Sequence, residues 1–438
     1  MKHILLSALA ATLTFGLFGQ YEPPEWNLKA RRQYAENRFG IFIHWGLYAN
    51  YAQGESYLKK GRLSEKAYSR MKDGFCPSKF DAKEWVRVFK DAGARYVTIT
   101  SRHHDGFSLW PTKVDDGYNI ANTPFKRDIL GELAKECQKA GLQLNFYYSL
   151  MDWHRSDYPA GESTRIIHPD QKGDYPTYKR FMLDQIAELI DSYRPGCIWF
   201  DGEWEHAPCR NGVWTRTLDW EFDDLYDLIH SKHVLVANNN HQPIREKEDV
   251  QLFERDLPGM GSDSLMSKHQ PVADDRPLEQ CDVIQKSAWG YKIGEMDFRM
   301  PEDAVTLLVR AASKGSNLLL NIGPDGSGRL PEEAVKVLRH VGEWIDVNGE
   351  SVYGTRAGHV SLLRDVVSTC KDDVLYLHFL NPKISKFAFS AQCEFENPVC
   401  LDKRFSANLE RTSSGDVVVT VRRPSDYKFD VVVRMAMK

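Results

Sequence analysis

Eight short runs of β-forming apolar residues, many of them separated by stretches with helical periodicity, constrain this chain more than any other feature. They lie at Phe39–His44, Tyr96–Thr100, Leu142–Tyr148, Cys197–Phe200, Val234–Ala237, Val250–Phe253, Val283–Ser287 and Asn317–Ile322. Amphipathic helical patterns cover Ala82–Ala92, Ile129–Ala140, Tyr178–Tyr193, Asp219–Lys232 and Pro301–Lys314. Eight strands alternating with helices predict a (β/α)8-like barrel, with the helices around strands five to seven short or missing. A further helix is expected over Pro331–Asn348, with Pro331 in its first turn. After Gly354 the texture changes to short alternating runs such as Val374–Phe379, Asp416–Val421 and Asp430–Arg434. No helical pattern remains there, which predicts a small C-terminal β-sandwich of roughly 85 residues.

The full length of 438 residues is too great for one ordinary domain. The expected division is a leader over residues 1–19, the barrel over 20–352 and the sandwich over 353–438. The leader rests on a short basic start at Met1-Lys2-His3, an apolar centre and small residues near Gly19, the pattern of a secretory signal. Export to a periplasmic, extracellular or lysosome-like compartment is therefore expected. The apolar centre is short for a spanning helix, and no later segment is apolar enough to cross a bilayer. A net charge of −4 with no basic stripe or tail points away from nucleic acid. The eight cysteines are scattered without a CxxC, which argues against a cysteine zinc site. In an exported chain Cys393 and Cys400 are the expected disulfide pair, facing each other across a hairpin, while Cys197 and Cys281 read as small buried residues of barrel strands. The sequence leaves an oligomer open.

In such a barrel, function collects at the C-terminal ends of the strands. Those ends read His44-Trp45-Gly46, Arg102-His103-His104-Asp105, Tyr147-Tyr148-Ser149, Asp201-Gly202, Asn238-Asn239-Asn240, Glu254, Trp289-Gly290-Tyr291 and Asn321. One such Asp is commonly a helix cap, and one such His a satisfied core residue. Polar and aromatic groups at the same end of so many strands favour a site instead. A carboxylate delivered by Cys197-Ile198-Trp199-Phe200-Asp201-Gly202 into aromatic surroundings suits sugar chemistry, since the carboxylate can react while aromatic faces stack on the ring. A metal is the competing use of His44, His103, His104 and Asp201. Against it, adjacent residues on a strand point to opposite faces, which should separate His103 from His104.

The blocks Phe39–Gly46, Ser101–Phe107, Trp199–Gly202 and Asn317–Pro324 resemble the α-L-fucosidases of glycoside hydrolase family 29, in the order that family has them and across roughly residues 25–350. The resemblance implies a retaining exo-hydrolase that acts on terminal L-fucose of fucosylated oligosaccharides or glycoconjugates without a cofactor or metal. It implies that Asp201 is the nucleophile, that His44, His103, His104, Tyr148 and Trp199 line the fucose pocket, and that Glu55 in Gly54-Glu55-Ser56-Tyr57 binds the sugar. The acid/base has four candidates. Glu203 and Glu205 lie too near Asp201 in the chain to face it easily across a ring. Glu254 resembles the family's acid/base position and is preferred over Glu279, where Leu278 replaces the family's usual Trp. The competing readings are a fucose-binding protein that has lost turnover, against which Asp201 with Glu254 argues, and a hydrolase of a related sugar such as α-L-galactose.

Overall fold

The computed structural model describes residues 21–438 except 116, 207–208, 211–212, 215–217, 240–243, 260–270, 296, 361–364 and 392, and leaves out the side chains of 205–206, 209–210 and 213–214. The expected leader and the side chains of Glu205 and Cys209 therefore lie outside it.

Eight parallel strands form the barrel: Phe39–Ile43, Tyr96–Arg102, Gln143–Ser149, Cys197–Asp201, Leu235–Asn239, Gln251–Glu254, Leu278–Val283 and Ser316–Ile322. Taken as first to eighth in the chain, they lie side by side in the order five, four, three, two, one, eight, seven, six. The two edge strands meet through a single parallel bridge from Ala237 to Val250, so the sheet nearly closes. Most strand residues are buried because helices cover one face and the barrel interior the other. The longer helices after the first strand are Ala82–Asp91, Ile129–Ala140, Tyr175–Tyr193, Phe222–Ser231, Pro301–Ser313 and Glu332–Asn348. Among the described residues, none intervenes between the fifth and sixth strands or between the sixth and seventh.

The seventh strand departs from expectation. It runs Leu278–Val283 and pairs with Ser316–Asn321, five residues earlier than the apolar run at Val283–Ser287 suggested. Its sequence, Leu-Glu-Gln-Cys-Asp-Val, is half polar. Those polar groups are buried by design: Glu279 and Gln280 have almost no exposure, and Glu279 is bonded inside the barrel. Apolar runs locate only strands whose buried residues are apolar.

The helix Glu25–Glu36 also escaped the sequence reading. Its buried face is Asn27, Arg31 and Tyr34, a helical spacing carried by polar residues. Arg31 and Asn27 both donate to the buried Asp249 carboxylate at 2.8 and 2.7 Å, and Tyr34 enters the barrel from below. The interior then fills with Tyr34, Phe42, Tyr96, Tyr147, Cys197, Trp199 and their neighbours.

At the C-terminus, a five-stranded antiparallel sheet faces a three-stranded one. Alternate residues of Val417–Arg422, namely Val417, Val419 and Val421, enter a shared core with Leu375, Leu377 and Val433. This sandwich seats against the barrel, where Trp344 Nε1 donates to the Asp430 carbonyl at 3.1 Å. Cys393 and Cys400 do not form the expected disulfide; both are free thiols, as are the other described cysteines. Cys400 ends the strand Phe395–Cys400 and Cys393 lies just before its start, so one strand separates them rather than a hairpin joining them. No helix among the described residues is long and apolar enough to cross a membrane.

Candidate active site

A cavity of about 150 Å³ opens at the C-terminal ends of the strands. It is built from alternate residues, since inward positions on a strand are two apart. The first strand and its exit give Phe42 and His44, the fourth gives Trp199 and Asp201, the fifth Asn239, the sixth Glu254 and the seventh Cys281. Loops add Glu55, Ser56, His103, His104, Trp204 and Trp289.

Asp201 sits where its strand ends, and the turn behind it requires glycine. Gly202 has φ +98°, and a Cβ there would lie 2.7 Å from Met151 Cγ. The Tyr147 hydroxyl donates to Asp201 Oδ2 at 2.8 Å, and Asn239 Nδ2 donates to Oδ1 at 3.1 Å. The same Asn239 nitrogen donates to Glu254 Oε2 at 3.0 Å. Two bonds of 3.1 and 3.0 Å from one nitrogen hold the bridged oxygens within about 6 Å of each other. Retaining glycosidases place their two carboxyl groups roughly 5–5.5 Å apart. Burial and the facing Glu254 charge push the Asp201 carboxyl well above the usual Asp range, while the bonds from Tyr147, Asn239 and the Gly202 backbone pull it down.

The imidazoles are neutral for a common reason, burial. It lowers His44 to about 4, His104 to about 3, and His103 well below the ordinary value. Their tautomers follow from their partners. Asn321 Nδ2 donates to the Trp289 carbonyl at 2.7 Å, so Asn321 Oδ1 faces His44 Nδ1, also at 2.7 Å. His44 Nδ1 therefore carries the proton, and Nε2 is left to accept from a hydroxyl. In the same way Ser149 Oγ donates to the Met151 carbonyl and accepts from His104 Nδ1 at 2.7 Å. The bare His104 Nε2 then lies 3.5 Å from Asp201 Oδ2. His103 Nδ1 is buried without a hydrogen-bond partner. Glu55 is fixed by the backbone N–H groups of Trp289 and Gly290, which donate to Oε2 at 3.1 and 2.9 Å.

Several expected residues meet here: His44, Glu55, His103, His104, Trp199, Asp201 and Glu254. Tyr148 does not. Its side chain points outward to the helix layer, where its hydroxyl donates to Gln185 at 2.9 Å and Arg102 covers its ring. Tyr147, one residue earlier, takes the inward position, and strand parity was the signal that distinguishes the two. The expected separation of His103 from His104 also fails. The strand stops at Arg102, so both rings leave it and lie 4.2 Å apart, with His103 stacked on Tyr147. Glu279 lies below the cavity and outside its lining, and Glu203 is turned away to Arg245 and Asn238. Among the described residues, no group of three or more His, Cys, Asp or Glu is arranged to hold a metal ion. Tyr147, Asn239 and Trp289, which the sequence marks only as strand-end groups without a role, also line the cavity, as do Phe42 and Trp204.

A family model described as alpha-L-fucosidase matches residues 16–350. The chain is similar to the plasma alpha-L-fucosidase of Homo sapiens, at 30% identity over 397 residues, covering 82% of this chain and 78% of that one. Among solved structures, alpha-L-fucosidase isoenzyme 1 from Paenibacillus thiaminolyticus matches with a TM-score of 0.81 and 29% identity over 94% of this chain and 100% of its own. A family 29 alpha-L-fucosidase from Bacteroides thetaiotaomicron, solved as a trapped covalent intermediate with 2-fluoro-fucosyl fluoride, matches with a TM-score of 0.77 and 25% identity over 94% and 96% of the two chains.

Proposed function

The chain belongs to the α-L-fucosidase family, and from that premise we propose that Asp201 and Glu254 carry out a double displacement on terminal L-fucose. As a member of that family the chain is a glycoside hydrolase. The observation that carries the proposal is the single Asn239 nitrogen bridging the two carboxyl groups across a cavity walled by imidazoles and aromatic rings.

In the first step an Asp201 oxygen attacks the anomeric carbon while a proton on Glu254 passes to the departing glycosidic oxygen. The C–O bond to the aglycone breaks and a fucosyl ester on Asp201 forms. In the second step Glu254 takes a proton from a water that attacks the same carbon, and the ester bond breaks. Two inversions give net retention. His44, Glu55, His103 and His104 receive the hydroxyls. The mix of bare imidazole nitrogens and a carboxylate suits vicinal hydroxyls, each of which donates one proton. Trp199, Phe42 and Trp289 supply apolar faces for the ring and for the methyl group of a 6-deoxy sugar. No step requires a cofactor.

The proposal extends to the whole chain: residues 1–19 as an export leader, 20–352 as the catalytic barrel and 353–438 as the sandwich. The substrates are fucosylated oligosaccharides or glycoconjugates outside the cytoplasm. Proton NMR of the first sugar released from an aryl α-L-fucoside tests the mechanism. The α-anomer of fucose should appear first. First release of the β-anomer, or turnover of α-L-galactosides in preference to α-L-fucosides, would refute it.

A further inference from the structure

Glu279 is fully buried beneath the cavity floor. It collects three donors from three different elements. The Tyr34 hydroxyl, from the helix Glu25–Glu36, and the Tyr96 hydroxyl, from the second strand, donate to Oε2 at 2.6 and 2.5 Å. Trp199 Nε1, from the fourth strand, donates to Oε1 at 3.0 Å. Of the four residues, only Trp199 lines the cavity. Its indole also stacks on Tyr147, with ring centres 5.5 Å apart, and meets Phe42 edge-on at 5.1 Å. Tyr147 in turn donates to Asp201.

A buried indole N–H without a partner is costly, so the tilt of the Trp199 ring follows the carboxylate that accepts from it. That tilt sets both the apolar wall of the cavity and the ring against which Tyr147 rests. We infer that Glu279 is a positioning residue for the sugar pocket, acting through Trp199 and, by way of Tyr147, on Asp201. On this account the N-terminal helix becomes part of the site although it lies at the opposite end of the barrel, because Tyr34 helps hold the carboxylate. The inference rests on the reading of this cavity as the fucose site. Its bland competitor is a carboxylate that only ties the barrel floor together.

A double-mutant cycle separates the two. Glu279→Gln, Trp199→Phe and the double variant are compared in kcat, KM, the inhibition constant of free L-fucose, near-ultraviolet circular dichroism and melting temperature. Gln keeps the size of Glu279, but its amide cannot accept from all three donors. Glu279→Gln should raise KM and the fucose inhibition constant about tenfold, the loss of one charge-assisted bond, and alter the tryptophan dichroism. In the Trp199→Phe background, the same change should cost less than about twofold in either constant, while still lowering the melting temperature through Tyr34 and Tyr96. Should Glu279→Gln not fold, Tyr34→Phe carries the test from outside the pocket and should raise both constants about threefold. Losses that multiply in the double variant, or unchanged constants in Tyr34→Phe and Glu279→Gln, overturn the positioning role alone. A wild-type enzyme that neither turns over an aryl fucoside nor is inhibited by fucose overturns the underlying reading of the pocket as well.

Discussion

Asn239→Ala removes a nitrogen that touches both carboxyl groups. Asn239 Nδ2 lies 3.1 Å from Asp201 Oδ1 and 3.0 Å from Glu254 Oε2. A hydrogen bond to a charged group contributes about 1.5–3 kcal/mol. With about 1.4 kcal/mol per tenfold, the loss of one such bond to the nucleophile predicts a fall in kcat/KM of about 10- to 100-fold. The pH profile should move as well. The Asn239 N–H lowers the Asp201 pKa, and the Glu254 charge raises it. Without the amide, the lowering contact is gone and the raising one is no longer buffered, so Asp201 rises further. Activity on the acid side is gained as Asp201 ionises, so that limb of kcat/KM should shift to higher pH. The assay is hydrolysis of an aryl α-L-fucoside followed across pH at low substrate concentration. A loss under about threefold with an unmoved acid limb would refute the bridging role, since such a loss is below about 1 kcal/mol.

Glu254→Ala should cripple hydrolysis of natural fucosides yet spare the first step with an activated aryl fucoside, because a good leaving group needs no proton; azide should then speed the second step and give a product of retained configuration. Equal losses on both substrates would exclude the assignment. Gly202→Ala must place a side chain at φ +98° with its Cβ 2.7 Å from Met151 Cγ. It should cost about 1–3 kcal/mol in denaturant unfolding, and wild-type stability would contradict that. Asp201→Asn should raise the melting temperature at neutral pH. The folded-state Asp201 pKa is raised, so wild-type stability is full below the ordinary Asp range and is lost as pH climbs through the folded value. The variant does not titrate, so its advantage should be absent at about pH 3 and grow towards pH 7, and a constant offset would count against the raised pKa.

The barrel was legible because seven of its strands announce themselves as apolar runs close to where they lie. The seventh strand and the first helix were not, and for one physical reason. Both bury polar residues, Glu279 and Gln280 in the strand and Asn27 and Arg31 in the helix, and Glu279, Arg31 and the Asn27 amide nitrogen are held by tertiary hydrogen bonds. Periodicity in hydrophobicity cannot reveal a face whose burial depends on partners from distant elements. The site followed the same division. His44, Glu55, Trp199, Asp201 and Glu254 reached the cavity from strand ends or motif blocks. The choice of Tyr148 over Tyr147 was a matter of parity by one residue, and it depended on which register the third strand keeps with its neighbours. The neighbouring histidines misled because they were treated as strand residues, whereas the strand stops at Arg102. Asn239 was visible as a strand-end residue, but its importance lies in bridging two carboxylates from the fourth and sixth strands, which only the folded barrel brings together.

A covalent fucosyl–Asp201 ester can be trapped and located. The wild-type enzyme is incubated with 2-deoxy-2-fluoro-fucosyl fluoride, whose fluorine slows breakdown of the ester more than its formation. It is then quenched in acid, digested and mapped by mass spectrometry. A single fluorofucosyl adduct on the peptide containing Asp201, absent from Asp201→Ala, is the predicted result. An adduct on Glu254 or Glu55, or an active enzyme that hydrolyses fucosides while forming no adduct, would contradict it.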